Sequence, residues 1–205
     1  MLDLPYAKQN LRYNPFGELD RQDRIDLAIP RCDFDEVTRF VLMDKSAVQF
    51  IGEMGSGKST HLLLLASQLP QFGYLHLPVD QSRIVLPKEF LLVDEAQRIP
   101  RLQVKSLFQQ ANHILLGTHR CFEKRLLRLG FQVKTINLDL LPNDQWLQSA
   151  FQRRIDRARR SDRTVPQIQL STVLKLRNKF GNNIRAMERQ LYEQFLELEG
   201  NDEQV

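Results

Sequence analysis

One stretch of the sequence decides the fold: Gly52-Glu53-Met54-Gly55-Ser56-Gly57-Lys58-Ser59, which matches the pattern G-x-x-x-x-G-K-[ST]. Its glycines permit backbone angles that are closed to other residues, so several N–H groups can converge on one anion. A helix that begins at the end of the loop would add the positive end of its dipole. At average residue usage the pattern arises by chance in fewer than about one chain in a hundred. It therefore predicts a phosphate-binding loop between a strand and a helix.

The residues of this loop have separate expected roles in holding a nucleoside triphosphate with Mg²⁺. The Lys58 side chain should reach the β- and γ-phosphates, and the Ser59 hydroxyl should bind Mg²⁺. The sequence has no evident guanine-reading Asn-Lys-x-Asp, which favours ATP over GTP without deciding between them. The residues expected to contact the nucleotide are Gly52, Glu53, Met54, Gly55, Ser56, Gly57, Lys58, Ser59 and Thr60.

A second motif, Phe90-Leu91-Leu92-Val93-Asp94-Glu95, follows the loop. Four apolar residues and then two carboxylates predict a buried strand with acids at its carboxyl end, where ligands bind in open α/β sheets. We expect Asp94 to hold Mg²⁺, directly or through water, and Glu95 to orient and deprotonate an attacking water. Together the two motifs predict hydrolysis of the bound nucleotide.

Strands that alternate with helices predict an α/β fold with a mostly parallel five-stranded sheet covered by helices on both faces. The strands are expected at 47–51, 74–79, 90–93, 113–117 and 131–138, and the helices of this part at 33–43, 58–69 and 120–129. The connection Asp80–Glu89 is shorter than a usual parallel crossover. Either it is trimmed to a bare loop, or the second strand pairs differently.

The strand signal stops after Leu138, and apolar residues then recur at helical spacing. Gly181 is expected to end one C-terminal helix and Asn183 to cap the next. We therefore expect an α/β core over 1–141, with an irregular segment at 1–32, and a small helical domain over 142–205.

The composition is that of a globular protein: 205 residues, 42% apolar and 26% charged. The sequence has no stretch of ~20 apolar residues and no basic-then-apolar signal peptide at its start, and its two cysteines are far apart. These features favour the cytoplasm. The net charge is +4, and the arginine-rich run Arg153–Arg163 is the local feature that would favour a nucleic acid; a solvated helix face is the alternative interpretation.

The two motifs resemble the Walker A and Walker B elements of the AAA+ ATPases, and the resemblance covers most of the chain. Asp94-Glu95-Ala96-Gln97 is the form often seen in bacterial members that regulate transposition or serve secretion systems. Asn14-Pro15-Phe16-Gly17 is similar to the family segment near the adenine. The resemblance further implies that the helical domain is a lid and names four candidates: Thr118 as sensor 1, Arg185 as sensor 2, and Arg125 or Arg128 as arginine finger.

The sequence departs from the family in the short span between the two motifs, where ring-forming relatives carry loops that grip DNA or protein. The resemblance implies an ATPase that drives or regulates assembly of a larger complex, either on DNA or with a protein partner or further copies of itself, and that is slow without that partner. A nucleotide-gated adaptor with little turnover is the alternative. A small P-loop kinase is a third interpretation, which the brief connections between strands disfavour.

Overall fold

A computed structural model describes residues 6–79, 89–140 and 144–197. The chain forms two compact units, one of residues 30–141 and one that joins residues 1–29 to residues 142–205. The helices are α1 Arg21–Leu27, α2 Phe34–Val41, α3 Lys58–Gln68, α4 Arg101–Gln110, α5 Glu123–Arg128, α6 Asp144–Ala158, α7 Leu170–Phe180 and α8 Ile184–Glu197. The strands are β1 Ser46–Ile51, β2 Tyr74–His76, β3 Phe90–Asp94, β4 His113–Thr118 and β5 Gln132–Asn137.

The five strands form one sheet in the order β2-β3-β4-β1-β5, and every pairing between them is parallel. The predicted α/β fold with a parallel sheet is therefore confirmed. The second strand is shorter than predicted, because its pairing with β3 ends at His76. The second strand pairs with β3 in parallel, as a simple crossover requires. The connection itself, residues 80–88, lies outside the described part of the chain.

Helices cover the sheet on both faces. On one face, Val37 of α2 and Leu62 of α3 pack against apolar side chains of the strands. On the other face, Phe108 of α4 and Leu126 of α5 do the same, and α4 is a helix that the sequence pattern did not indicate. Only two residues of this helix, Val104 and Phe108, are fully buried, so its apolar pattern is weak.

Local capping signals set several helix ends as expected. The Asp33 carboxylate accepts the N–H of Glu36 at 2.9 Å and starts α2. Gly181, at φ 60°, ends α7, and the Asn183 side chain accepts the N–H of Ala186 at 3.1 Å at the start of α8. The helix predicted over 120–129 begins only at Glu123, because the preceding residues form a turn around the Thr118 hydroxyl.

The second unit is helical and includes the N-terminal segment. Its core joins Leu11 and Phe16 to apolar residues of α6, α7 and α8. The buried Arg154 of α6 donates to the carbonyls of Pro15 at 2.9 Å and Gly17 at 2.6 Å. Residues 6–29 thus pack with the C-terminal helices, whereas the sequence pattern had suggested that residues 1–32 accompany the α/β core.

Candidate phosphate-binding and hydrolysis site

The loop after β1 has the geometry of an anion site. Gly57 is the N-cap of helix α3 and adopts φ 96°, a left-handed conformation that other residues rarely take. No side chain caps this helix and its first turn carries no acidic residue. The N–H groups of its first turn therefore have no intrahelical acceptor and lie at the positive end of the helix dipole. Ser59 and Thr60 belong to this first turn.

The Lys58 ammonium group lies inside the loop. It donates to the carbonyl oxygens of Gly52 at 2.9 Å and Glu53 at 2.7 Å, and the residue is only 5% exposed. A lysine this deeply buried requires polar partners, because an unpaired ammonium group is costly away from water. The carbonyls of Gly52 and Glu53 thus fix a positive charge inside the loop that leads to the start of α3.

Asp94 ends β3 as a fully buried carboxylate. It accepts hydrogen bonds from Tyr74 Oη at 2.8 Å and from the N–H of Glu95 at 3.0 Å, and His76 Nδ1 lies 3.3 Å away. A carboxylate has about four acceptor positions, so these partners hold Asp94 in one orientation and leave capacity for another ligand. The sequence pattern missed Tyr74 and His76, although their period-two spacing on β2 places both on one face of the strand.

Strand register brings the ends of β1, β3 and β4 to one edge of the sheet. Ile51 is paired with Thr118, and Asp94 is paired with Gly117. The phosphate loop and the Asp94-Glu95 pair therefore leave the sheet at the same edge, as ligand sites in open α/β sheets do. A Cβ atom added at Gly117 would lie 2.7 Å from Asp94 Oδ1, so glycine is needed there to make room for the carboxylate.

Glu95 has a left-handed backbone, with φ 62° and ψ 39°. Its carboxylate accepts a hydrogen bond from Gln97 Nε2 at 2.5 Å, forms an ion pair with Arg98 at 3.2 Å, and lies 3.9 Å from His119 Nε2. A non-glycine residue in this conformation costs of order 1–3 kcal/mol and tends to occur at functional sites. The carboxylate is 16% exposed, so it is held close to the surface by three neighbours.

Asp139 is a site residue that the sequence pattern did not single out. It follows β5 and its two carboxylate oxygens accept the backbone N–H of Glu53 at 2.9 and 3.2 Å. A Cβ atom at Gly52 would lie 3.0 Å from Asp139 Oδ1 and 2.6 Å from Ser56 Oγ, so this corner admits only glycine. Ser56 Oγ is buried there and has no hydrogen-bond partner among the described residues. The only sign of Asp139 in the sequence is that an acidic residue follows directly after β5, the strand that pairs with β1.

His61 supports the loop from within α3. Its Nδ1 lies 2.9 Å from the carbonyl oxygen of Gly57, and its Nε2 accepts the backbone N–H of Arg31 at 3.2 Å. This arrangement places the ring proton on Nδ1. Burial lowers the pKa of His61 to about 4, the hydrogen bond to Gly57 opposes this shift, and Arg31 adds to it. The ring therefore stays neutral at physiological pH.

The residues expected from the family resemblance occupy different surroundings. Thr118 ends β4 as a fully buried residue, and its hydroxyl donates to the carbonyl of Arg120 and accepts the N–H of the same residue, both at 3.0 Å. Arg125 and Arg128 are exposed in the last turn of α5, just before β5. Arg185 is exposed in the first turn of α8 and belongs to the helical unit.

Most of the arginine-rich run Arg153–Arg163 is engaged inside the helical unit. Arg154 is buried against the N-terminal turn and pairs with Glu188 at 2.6 Å. Arg157 pairs with Asp23 at 3.3 Å, and Arg159 with Asp156 at 2.8 Å. These bonds favour the interpretation of the run as a structural helix face rather than as a nucleic-acid site.

The donor chemistry fits Mg²⁺ held by few protein ligands. In residues 6–79, 89–140 and 144–197, no group of three or more His, Cys, Asp or Glu side chains could hold a metal ion. Mg²⁺ commonly takes one or two protein oxygens and completes its shell with phosphate and water. The Asp94 carboxylate, which has spare acceptor capacity, and the Ser59 hydroxyl are ligands of this kind.

No helix of the described ranges is long and apolar enough to cross a membrane.

Comparisons with known proteins support the fold. No protein-family model and no curated protein matches the sequence. NtrX from Brucella abortus, solved in complex with ADP, matches with a TM-score of 0.52 at 12% identity, over 91% of this chain and 52% of the NtrX chain. A RuvB variant from Thermotoga maritima matches with a TM-score of 0.52 at 16% identity, over 95% of this chain and 75% of RuvB. The chain thus spans about half the length of NtrX. The chain shares with these two proteins an α/β fold of the P-loop NTPase type.

Proposed function

We propose that this protein binds ATP with Mg²⁺ and hydrolyses it slowly, in order to drive or regulate assembly of a larger complex. The observation that carries the proposal is the shared sheet edge: β1, which leads to the uncapped start of α3, and β3, which ends in the buried Asp94, end at the same edge on either side of β4. The ADP bound to NtrX, a protein of the same fold, supports an adenine nucleotide as the ligand.

Each residue of the site has one task in this proposal. The first-turn N–H groups of α3 bind the phosphates, and the Lys58 ammonium exchanges a loop carbonyl for a γ-phosphate oxygen. Ser59 and Asp94 would hold Mg²⁺, which would supply positive charge to the phosphates. Glu95 orients the attacking water and accepts its proton. The water oxygen bonds to the γ-phosphorus in line with the departing ADP.

Turnover is slow in this proposal because the Glu95 carboxylate has other partners. Gln97 and Arg98 both bind Oε2 of Glu95, so one of the two oxygen atoms that could face the water is already engaged. A nucleotide-gated adaptor, in which bound ATP sets a binding surface and hydrolysis is incidental, is the second candidate, and this restraint of Glu95 favours it.

The remaining assignments rest on the family resemblance. Thr118 would sense the γ-phosphate, Arg185 would report nucleotide state to the helical lid, and Arg125 or Arg128 would reach the nucleotide of a second copy. An arginine supplied in this way is worth about 10³–10⁵ in rate. Slow turnover by the isolated chain, with acceleration on self-association or on a partner, is the expected behaviour.

The test is ATP turnover and molecular mass measured together over a range of protein concentrations. Wild type is compared with Glu95→Gln and with a control, Glu18→Gln, which removes the same charge from an exposed glutamate elsewhere in the chain. Turnover that rises with concentration and is lost only in Glu95→Gln supports the assembling ATPase. Tight binding with no turnover at any concentration favours the adaptor. Transfer of phosphate to an added small-molecule acceptor, with no release to water, would overturn both in favour of a kinase.

A further inference from the structure

The positive charge of this protein is concentrated on α4, α5 and their connections. Residues 99–131 contain one carboxylate, Glu123, and six cationic side chains. The cations are Arg101, Lys105, Arg120, Lys124, Arg125 and Arg128. This excess is larger than the net charge of +4 of the whole chain, so the remaining residues are close to neutral. We call these six residues the cationic face.

The six side chains are exposed and have no ion pair within the part of the chain that the structure describes. The single carboxylate, Glu123, is engaged by the Thr135 hydroxyl at 2.8 Å and is turned towards β5. In contrast, Arg154, Arg157 and Arg159 of the arginine-rich run are paired. A dense group of cations without ion pairs therefore lies on the α/β unit, where the sequence pattern had not placed one.

The two helices present their charges on one side of the sheet. Phe108 of α4 and Leu126 of α5 lie in the same buried cluster, and the Phe108 and Phe122 rings are in edge contact with centroids 5.7 Å apart. Arg101 and Lys105 are four residues apart on α4, so they project from one side of that helix. Lys124 and Arg128 have the same spacing on α5. Both helices therefore lie on the same face of the sheet, and each carries cations on its exposed side.

We propose that the cationic face binds the sugar-phosphate backbone of a nucleic acid. Four of its six cations are arginines, whose planar guanidinium groups bind phosphate in a bidentate manner. Exposed Gln109 and Gln110 on α4 add the neutral donors that phosphate contacts use. Charges spread over two helices suit an extended, regular polyanion better than a single phosphate group. This inference goes beyond the nucleotide site and does not depend on hydrolysis.

The expected size of the effect follows from counterion release. The slope of log K against log salt is about −0.9 for each phosphate contacted on duplex DNA, so six cations limit the slope to about −5. The double variant Arg101→Ala/Lys105→Ala should make the slope shallower by about 1.8. At ~0.1 M salt this corresponds to a loss of affinity of about 60-fold if both side chains contact phosphates.

The experiment is fluorescence anisotropy of a labelled 30-bp duplex and of its single strand with the full chain, without nucleotide, at several KCl concentrations. The matched control is Arg160→Ala/Arg163→Ala, which removes the same charge from exposed positions of the helical unit. The proposal expects the Arg101/Lys105 variant to lose affinity and slope and the control to stay within about twofold of wild type. The variant Arg120→Ala/Lys124→Ala, which changes α5 and the turn before it, should show a similar loss of affinity and slope.

Three results would overturn the proposal. One is no binding to either probe at 50 mM KCl, and another is an equal loss in the variants and the control, which would mean a bulk charge effect. The third concerns lipid, because Leu102 and Leu127 are 96% and 53% exposed beside the cations. Binding of phosphatidylserine vesicles that needs Arg101 and Lys105, with DNA binding that does not, would assign the face to a membrane surface. Lys58→Ala should bind DNA as wild type does, which separates this outcome from that of the proposed nucleotide site.

Discussion

Replacement of Gly117 by alanine tests how tightly the Asp94 carboxylate is held. Gly117 lies in β4 beside Asp94, with the Leu62 side chain of α3 on the same side. A Cβ atom there would be 2.7 Å from both Asp94 Oδ1 and Leu62 Cδ1, whereas ordinary van der Waals contacts are 3.4–4 Å. Both neighbours must therefore move by about 0.7 Å or more. Leu62 is fully buried in the core, and Asp94 is bound by Tyr74 and by its own following N–H, so neither moves freely.

The size of both effects follows from this overlap. Overpacking a core by one methyl group costs typically 1–3 kcal/mol, and for a chain of this length about 2 kcal/mol lowers the Tm by roughly 4–8 °C. Displacement of a catalytic group by about 1 Å costs on the order of 100-fold in rate. Gly117→Ala should thus fold, melt several degrees lower, and lose at least about tenfold in Mg²⁺-dependent ATP turnover.

The assay is thermal unfolding by circular dichroism, together with ATP turnover over a range of Mg²⁺ concentrations. The matched control is Gly73→Ala, because a Cβ atom at Gly73 would meet nothing within 4 Å. This control should melt at or slightly above the wild-type temperature. If Gly117→Ala and Gly73→Ala have the same Tm and the same Mg²⁺ dependence, the reasoning about the Asp94 pocket is refuted.

Three further predictions concern the surroundings of the site. The pKa of His61 is about 4 in the folded protein, below its ordinary value of 6.5, so the unfolded chain binds more protons between these two pH values. The free energy of unfolding of the wild type should therefore fall by about 3 kcal/mol as the pH falls from 6.5 towards 4, and that of His61→Gln should not show this loss. Asp139→Ala removes the acceptor for the Glu53 N–H and should weaken nucleotide binding about fivefold, whereas Asp139→Asn keeps one oxygen and should retain most of the affinity. Arg154→Leu leaves buried carbonyls without donors and should cost about 3–5 kcal/mol, against less than about 0.5 kcal/mol for exposed Arg160→Leu.

The measurements for these three are urea unfolding at pH 7.5, 6, 5 and 4.5, titration with a fluorescent ATP analogue, and urea unfolding at pH 7.5. Equal pH dependence in wild type and His61→Gln would contradict the first. Equal affinity loss in both Asp139 variants would mean that charge, and not the acceptor atom, matters. A cost for Arg154→Leu as small as that for Arg160→Leu would show that the N-terminal turn does not depend on Arg154.

The sequence predicts the centre of the fold well because its motifs carry their own structural context. A loop of the pattern Gly52–Ser59 requires a strand before it and a helix after it, and both are present as β1 and α3. The acids at the end of the apolar run Phe90–Val93 likewise had to lie at the carboxyl end of a buried strand. The parallel pairing of β1, β3 and β4 then follows from the alternation of strands and helices.

Contacts between distant residues could not be predicted in the same way. The Asp139 carboxylate reaches Glu53 across 86 residues of sequence, and nothing in the pattern around Asp139 distinguishes it from a surface acid. Arg154 looks like its neighbours in an arginine-rich run, yet it alone is buried and holds a turn 139 residues away. Net charge over short windows likewise cannot show which cations are paired: three arginines of the run Arg153–Arg163 form ion pairs, whereas the six cations of residues 99–131 form none among the described residues.

The most direct test of the nucleotide site is the affinity of Mg·ATP for wild type, Lys58→Ala and Lys175→Ala, measured by calorimetry at one pH and salt concentration. Lys175 is an exposed lysine of α7, so Lys175→Ala removes the same charge at a position away from the loop. Loss of charge-assisted hydrogen bonds to phosphate, about 1.5–3 kcal/mol, predicts that Lys58→Ala binds about 10- to 150-fold more weakly than wild type. Lys175→Ala should bind as wild type does. Equal affinity of all three proteins would contradict the account.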